Sequence, residues 1–434
     1  MNEWLGRQVA IPKSELPTVD DDAMVVREAL DLKTGQCQRC GTLFSKKEQL
    51  LPSGKYYCGA CVQFGRLTSE EFLVSKQETT IQKREVLLAW QGKLTPPQQA
   101  VADHLLENQQ HTMIWAVTGA GKTEMIFLII QQVLSLGGRV GVTSPRIDVC
   151  RELFPRIHQA FPKEKTLLLY GASEEKYRYS KLTVCTTHQL IHFYQAFDLL
   201  IVDEIDAFPY EGNPQLRFAV SQAIKPNGRY IYLTATPPQQ LIAEIQEEFA
   251  IEKLPIRYHQ RPLIVPELHW YEHWASCYQR KWHLRKLIRL LNELLKANAV
   301  LVFCPSIAYM KKVYAAVKQY FATGEVACVS SQDEHREAKV QAMRDKSYRV
   351  LFTTTILERG VTFEHVSVII MGANHPVYTK SALVQISGRV DRKGAFNHGR
   401  VSFFLNQQTV AIRKACQEIK EMNHLAKRWR KDAL

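Results

Sequence analysis

Two Cys-x2-Cys pairs, Cys37/Cys40 and Cys58/Cys61, enclose seventeen residues. That spacing suits a structural zinc site, in which four thiolates close a tetrahedral shell. A closed shell offers no open position for catalysis. The expected role of the metal is therefore architectural, replacing the apolar core that so short a segment lacks. Gly41, Gly54 and Gly59 stand where such a module turns tightly. Lys46, Lys47, Lys55, Tyr56 and Tyr57 offer phosphate contacts and ring stacking or, equally, packing of the ribbon. A redox dithiol is the competing reading of the two pairs, disfavoured because the chain has no thioredoxin pattern. The remaining cysteines, Cys150, Cys185, Cys277, Cys304, Cys328 and Cys416, are scattered among apolar neighbours and read as small buried hydrophobes.

A second constellation handles phosphate. Ala116 to Thr123 read A-V-T-G-A-G-K-T, after an apolar run and before the helical run Glu124 to Leu136. In that setting Gly119, Ala120 and Gly121 let backbone N–H groups and a helix N-terminus face a nucleotide's phosphates. Lys122 supplies charge to the β and γ groups, Thr123 a hydroxyl for magnesium, and Glu124 completes the expected nucleotide-binding set. The first position is Ala116 rather than the usual glycine. Downstream, Leu199 to Val202 run into Asp203-Glu204-Ile205-Asp206. Two carboxylates at the C-terminal end of a buried parallel strand lie where open α/β sheets bind ligands. Asp203 is expected to hold magnesium through water, and Glu204 to orient and deprotonate the attacking water. Gln98, in Leu94-Thr95-Pro96-Pro97-Gln98, either touches adenine or belongs to a turn that opens a helix.

Gln385 to Arg392 read Q-I-S-G-R-V-D-R. Arg389 and Arg392, three apart, are expected on one helical face. From there they would reach a γ-phosphate and make hydrolysis depend on closure of two lobes. Thr234 to Thr236, and Thr353 to Thr355 with Glu358 to Thr362, follow strands of the two halves. Pro145, Arg146, Thr186, Thr187, His188 and Thr354 are expected to touch the phosphate backbone of a nucleic-acid strand, on account of their order in the chain.

These groups need a frame, and the patterning supplies one. Apolar or β-branched runs at Thr112–Val117, Arg139–Thr143, Thr166–Tyr170, Leu182–Thr186, Leu199–Asp203 and Tyr230–Thr234 alternate with helix-length segments. A second series follows at Val300–Cys304, Val326–Val329, Arg349–Thr354, Val366–Met371 and Val401–Leu405. Alternation of this kind predicts α/β architecture: two tandem parallel-sheet lobes with helices on both faces. The predicted division is 1–76 with the zinc module at 37–61, a first lobe over 77–258, and a second over 259–434. Ile256 to Tyr271, with Pro255, Pro262 and Pro266, reads as a linker, and Gln408 to Lys431 as one helix with a basic end. Across 434 residues the formal net charge is +13, which favours a polyanion: nucleic acid or membrane headgroups. The lack of a secretory pattern or a long apolar run predicts a cytoplasmic chain.

Taken in order, Ala116–Glu124, Val202–Asp206, Thr234–Thr236, Thr353–Thr362 and Gln385–Arg392 resemble the motifs of superfamily-two helicases, whose lobes are RecA-like. With the four leading cysteines and the form D-E-I-D-A-F-P at Asp203–Pro209, the chain resembles the ComFA family, competence-associated ATPases of Gram-positive bacteria. The resemblance implies a motor using ATP, Mg2+ and Zn2+ that pulls single-stranded DNA through the uptake channel during natural transformation. It implies a site at the inner face of the cell membrane. The expected partners are single-stranded DNA, the membrane channel, a ComFC-like phosphoribosyltransferase-like protein and further copies of this chain. Asp391 stands where a glycine is usual between the two arginines. Duplex unwinding in replication restart or repair, and a nucleotide-gated DNA-binding adaptor that does not move, are the alternative functions.

Overall fold

The computed structural model describes residues 4–16, 23–78, 81–171, 173, 176–391 and 398–432. At the N-terminal end are β1 (Val9–Pro12), β2 (Met24–Glu28) and a short antiparallel ribbon of β3 (Leu30–Asp31) and β4 (Gln36–Cys37). Strand β5 (Glu71–Lys76) lies between β1 and β2, antiparallel to both. Sequence reading missed this sheet. Met24 pairs with Lys76, a partner far along the chain, and both outer strands lack a fully buried residue. Helix α1 (Pro96–Glu107) opens on a capping box between Thr95 and Gln98, with proline in its first turn.

The first large sheet contains β6 (His111–Ala116), β7 (Val140–Ser144), β8 (Leu167–Leu169), β9 (Leu182–Thr186), β10 (Phe197–Asp203), β11 (Ile224–Thr234) and β12 (Phe249–Leu254). Their order is β12-β6-β11-β10-β7-β9-β8. The run from β8 through β9, β7 and β10 to β11 is parallel. Every residue of β7 and β9 is buried; a strand covered on both faces gains nothing from polar alternation, hence its continuous pattern. The connecting helices are α2 (Lys122–Met125), α3 (Phe127–Ser135), α4 (Ile147–Ala160), α5 (Pro214–Ala223) and α6 (Gln239–Ile245). The single helical run expected after the phosphate loop is interrupted at Ile126, between α2 and α3.

The second large sheet has six strands: β13 (Glu267–Trp270), β14 (Ala299–Phe303), β15 (Val326–Val329), β16 (Val350–Thr353), β17 (Val366–Met371) and β18 (Val401–Leu405). Their order is β13-β18-β17-β14-β16-β15, and every neighbouring pair is parallel. Strand β13 falls in the segment expected to be a linker. It pairs on one side only, with β18, and Pro266 stands just before it, where a missing N–H does no harm. Helices α7 (Lys281–Leu294), α8 (Ile307–Val317), α9 (Arg336–Arg344), α10 (Lys380–Ser387) and α11 (Val410–Asp432) accompany this sheet. In α7, Leu284, Leu287, Leu291 and Leu294 repeat every three to four residues, and all are buried in one cluster with Val300, Val302 and Met310.

These are two RecA-like lobes. By contacts the chain forms two compact units: Met1–Ile114, Lys122–Thr234 and Pro238–Glu252 in one, Trp115–Gly121, Ala235–Pro237 and Lys253–Leu434 in the other. In the first unit the N-terminal region does not stand apart. Cys37, Cys40, Phe44, Cys58, Cys61 and Leu67 share one buried cluster with Leu190, Ile191, Phe193, Leu216 and Ala219. Among the described residues no helix is long and apolar enough to cross a membrane.

Candidate ATP site and zinc centre

The phosphate loop joins β6 to α2. Gly119 and Gly121 take positive φ angles of 82° and 75°, a region that side-chain-bearing residues seldom enter. Ala120 is buried and Thr123 is 6% exposed at the start of α2. Glu124 follows in the same turn, but its carboxylate is ion-paired with Arg156 of α4, which ties two helices together. Gln98 is buried, and its Oε1 accepts hydrogen bonds from the Thr95 backbone N–H (2.8 Å) and hydroxyl (2.9 Å). Gln98 thereby takes part in the capping box that opens α1.

Asp203 ends β10 at 8% exposure, and its carboxylate accepts from the Glu204 N–H at 2.8 Å. Burial pushes its pKa up to about 6, against the pull of the Lys122 ammonium; the Glu204 and Asp206 carboxylates push the same way as burial. A buried carboxylate facing a lysine and its own kind is poised for a divalent cation. Glu204 itself sits at φ +55°, a left-handed conformation that costs a non-glycine residue about 1 kcal/mol or more. Asp206, 2% exposed, accepts from the Thr234 hydroxyl at 2.8 Å. That bond ties the carboxylate loop to the end of β11, the strand beside β10. Lys122, Thr123 and Asp203 thus fit a magnesium–nucleotide complex, which supplies the electrophilic phosphorus and a countercharge for phosphoryl transfer. Glu204 follows Asp203 directly, at the C-terminal end of the same strand.

In the second unit, helix α10 ends at Ser387 with Gly388 as its C-cap, and Asp391 takes φ +51°. Arg389 therefore lies in a turn beyond the helix, which corrects the expectation of two arginines on one helical face. Arg392 lies outside the described residues. The Arg389 side chain is 3% exposed, and its Nε donates to the Glu358 carbonyl at 3.1 Å. The turn is held by a residue that sequence reading passed over. Arg257, 2% exposed, donates to the carbonyls of Gly388 (3.1 Å), Val390 (2.8 Å) and Asp391 (3.2 Å). It falls in the stretch whose composition predicts a linker, and nothing in its sequence neighbours marks it.

The loops after β7 and β9 carry most of the positions expected to meet a nucleic acid. Pro145, Thr186 and Thr187 are buried. Arg146 and His188 are half-buried. The His188 ring lies 6.4 Å from that of Phe64, and burial lowers its pKa. Thr354, in the second unit, is half-buried just after β16.

The four cysteines are all buried, and their sulfur atoms lie within 4.8 Å of one another. Cys37 Sγ is 3.8 Å from Cys61 Sγ, and Cys40 Sγ is 3.6 Å from Cys58 Sγ. Tetrahedral zinc with Zn–S bonds of about 2.3 Å places its ligands ~3.8 Å apart, so the thiols fit that metal. Arg39, 5% exposed, donates Nε–H to Cys61 Sγ at 3.4 Å, and the Thr42 hydroxyl lies 3.3 Å from Cys40 Sγ. Such contacts stabilise thiolate over thiol. Arg39 is a second residue that the cysteine spacing alone does not reveal.

Residues 95–245 match the DEAD/DEAH box helicase family, and residues 282–394 match the helicase conserved C-terminal domain. Among curated proteins, the competence protein ComFA of Streptococcus pneumoniae is 42% identical over 89% of this chain and 90% of its own. The ComFA of Bacillus subtilis is 39% identical over 90% of this chain and 86% of its own. Among solved structures, Saccharomyces cerevisiae Dbp5 bound to RNA and ADP BeF3 superposes with a TM-score of 0.59 at 16% identity, covering 76% of this chain and 88% of that one. Mss116p bound to ssRNA and AMP-PNP gives 0.56 at 17% identity, covering 72% and 69%. At such identities the structures bear on the fold alone. With near-full-length relatives at these identities, helicase matches in both lobes, a formed phosphate loop and four clustered cysteines, the chain belongs to the ComFA family of ATP-hydrolysing, helicase-like competence proteins.

Proposed function

We propose that this protein translocates along single-stranded DNA, using ATP hydrolysis coupled to closure of its two lobes, to drive DNA import during natural transformation. The observation that carries the reading is the carboxylate loop: Asp203 faces Lys122, while Asp206 is hydrogen-bonded to Thr234 at 2.8 Å. Such a loop links the hydrolytic residues to a neighbouring strand end, which a passive nucleotide switch does not need. Lys122 and Thr123 hold the phosphates and magnesium, Asp203 holds the metal through water, Glu204 activates the attacking water, and Arg389 with Arg392 stabilises the transferring phosphoryl group. Arg146, His188 and Thr354 contact the strand. The net charge of +13 supports a polyanionic partner. Work at the inner face of the membrane beside an uptake channel and a ComFC-like protein, and assembly with further copies of the chain, complete the proposal.

The test is steady-state ATP hydrolysis with and without oligo(dT), at low and moderate salt, for the parent and Glu204→Gln. The expected result is stimulation by DNA in the parent and a loss of turnover of at least 100-fold in the variant, which retains nucleotide binding. Tight DNA binding without stimulation would replace the motor by a nucleotide-gated adaptor.

A further inference from the structure

The motif Asp203–Pro209 contains an exposed aromatic residue to which the hydrolytic machinery gives no role. Phe208 is 78% exposed, more than any other large apolar side chain among the described residues. Its immediate surroundings are the opposite. Ile205, Asp206, Ala207 and Tyr210 are all buried, at 4% exposure or less. The backbone is closed by Ala207 N–H to Glu204 O (2.8 Å), Tyr210 N–H to Ala207 O (2.9 Å) and Glu211 N–H to Ala207 O (3.1 Å). Asn213 N–H then donates to Tyr210 O (3.1 Å), and the Asn213 side chain caps α5. Phe208 is thus held in water by a turn fixed on both sides. A solitary exposed apolar residue is ordinary on a protein surface. One fixed four residues beyond Glu204 is positioned rather than left over.

Its place in the sheet indicates the ligand. The turn leaves the C-terminal end of β10, and the neighbouring parallel strands β7 and then β9 release Arg146 and His188 from the same edge. Strand spacing sets those two loops about 5 and 10 Å away across the sheet. An aromatic face beside cationic and imidazole side chains is how proteins hold unpaired nucleotides: the backbone follows the charge and a base stacks on the ring.

We propose that Phe208 is a base-stacking residue for single-stranded nucleic acid, and that its turn transmits occupancy to Glu204 through the Ala207–Glu204 hydrogen bond. This rests on the motor reading above. It adds a contact to a base where the other candidate contacts are to phosphates, and a route from the strand to the water-orienting carboxylate.

The test measures binding of labelled oligo(dT), and of an abasic oligonucleotide of the same length, by fluorescence anisotropy for the parent, Phe208→Ala and Phe208→Tyr. Melting of each protein verifies its fold. Phe208→Ala is expected to weaken oligo(dT) binding by roughly 5- to 100-fold, as one lost base–aromatic stack predicts. Phe208→Tyr restores it, and on the abasic strand parent and alanine variant bind alike. At saturating oligo(dT), the stimulated ATPase rate of the alanine variant is expected to fall below the parent's. Equal oligo(dT) affinity of parent and Phe208→Ala would overturn the stacking role while leaving the motor intact. An unchanged stimulated rate would overturn the route to Glu204. A parent that binds no strand at all would remove the motor reading and this inference together.

Discussion

The three hydrogen bonds from Arg257 to the turn that carries Arg389 allow the cost of losing them to be worked out. The guanidinium is 2% exposed and meets three carbonyls, Gly388, Val390 and Asp391, at 2.8–3.2 Å. Hydrogen bonds from a charged donor contribute about 1.5–3 kcal/mol each, and burying the charge offsets part of their sum. Arg257→Met keeps most of the volume and removes every donor, so the second unit should lose about 2–4 kcal/mol. For a unit of this size that is a fall in melting temperature of roughly 5–15 °C. Arg257→Lys, with a shorter ammonium head, recovers one or two of the bonds and should lie between. The functional effect runs through geometry. An arginine acting on a γ-phosphate can contribute 10³–10⁵ in rate, and a turn free to move by about 1 Å forfeits a share of that, so turnover should drop about 10- to 100-fold. The assay pairs thermal melting with ATPase measurements at saturating ATP and DNA. A methionine variant that melts and turns over like the parent would refute the view that Arg257 sets the position of Arg389.

Two further outcomes follow from the first unit. Purified protein should carry one zinc ion per chain by atomic absorption, and Cys58→Ser should both lose it and lower the melting temperature of the first unit, because the cysteines share that unit's buried cluster; an unchanged melt in metal-free protein would contradict this. His192 is held neutral, its pKa lowered to about 4 by burial and by the Arg7 and Arg39 charges. Between pH 6.5 and 4 the unfolded chain binds a proton that the folded chain does not, so stability is full above pH 6.5 and declines as pH falls, by at most about 3 kcal/mol. The melting temperature of His192→Gln should decline less than the parent's from pH 7.5 to 5, and parallel declines would exclude His192 as the cause.

What the sequence disclosed was whatever is local. The phosphate loop, the D-E-I-D stretch and the cysteine pairs are each encoded within a few neighbouring residues, and the fully buried strands β7 and β9 announce themselves as short runs without a charged residue. Features that depend on distant partners stayed hidden. Strand β5 has only three consecutive buried residues and is completed by pairing with β1 and β2, and β13, with none, is recognisable only beside β18. The turn at Arg389 was concealed because Gly388 and Asp391 are compatible with a helix in sequence, while the observed path needs the carbonyl grip of Arg257. Arg39 is next to a cysteine in sequence, yet its contact is with Cys61, across the module.

The shared cluster beneath the cysteines also bears on the order in which the chain is made. The N-terminal sheet and the four cysteines are complete once β5 has been synthesised, so zinc can be captured early. Their packing partners Leu216, Ala219 and Val220 of α5 arrive about 140 residues later, which at ribosomal rates of about 5–20 residues per second is a delay of roughly 7–28 s. During that interval the nascent module exposes the apolar face that Phe218 later closes at Gly41. Zinc bound by the four cysteines would guard the early segment until its lobe exists to cover it, and a fragment ending soon after β5 should associate with other apolar surfaces rather than remain a free, soluble domain.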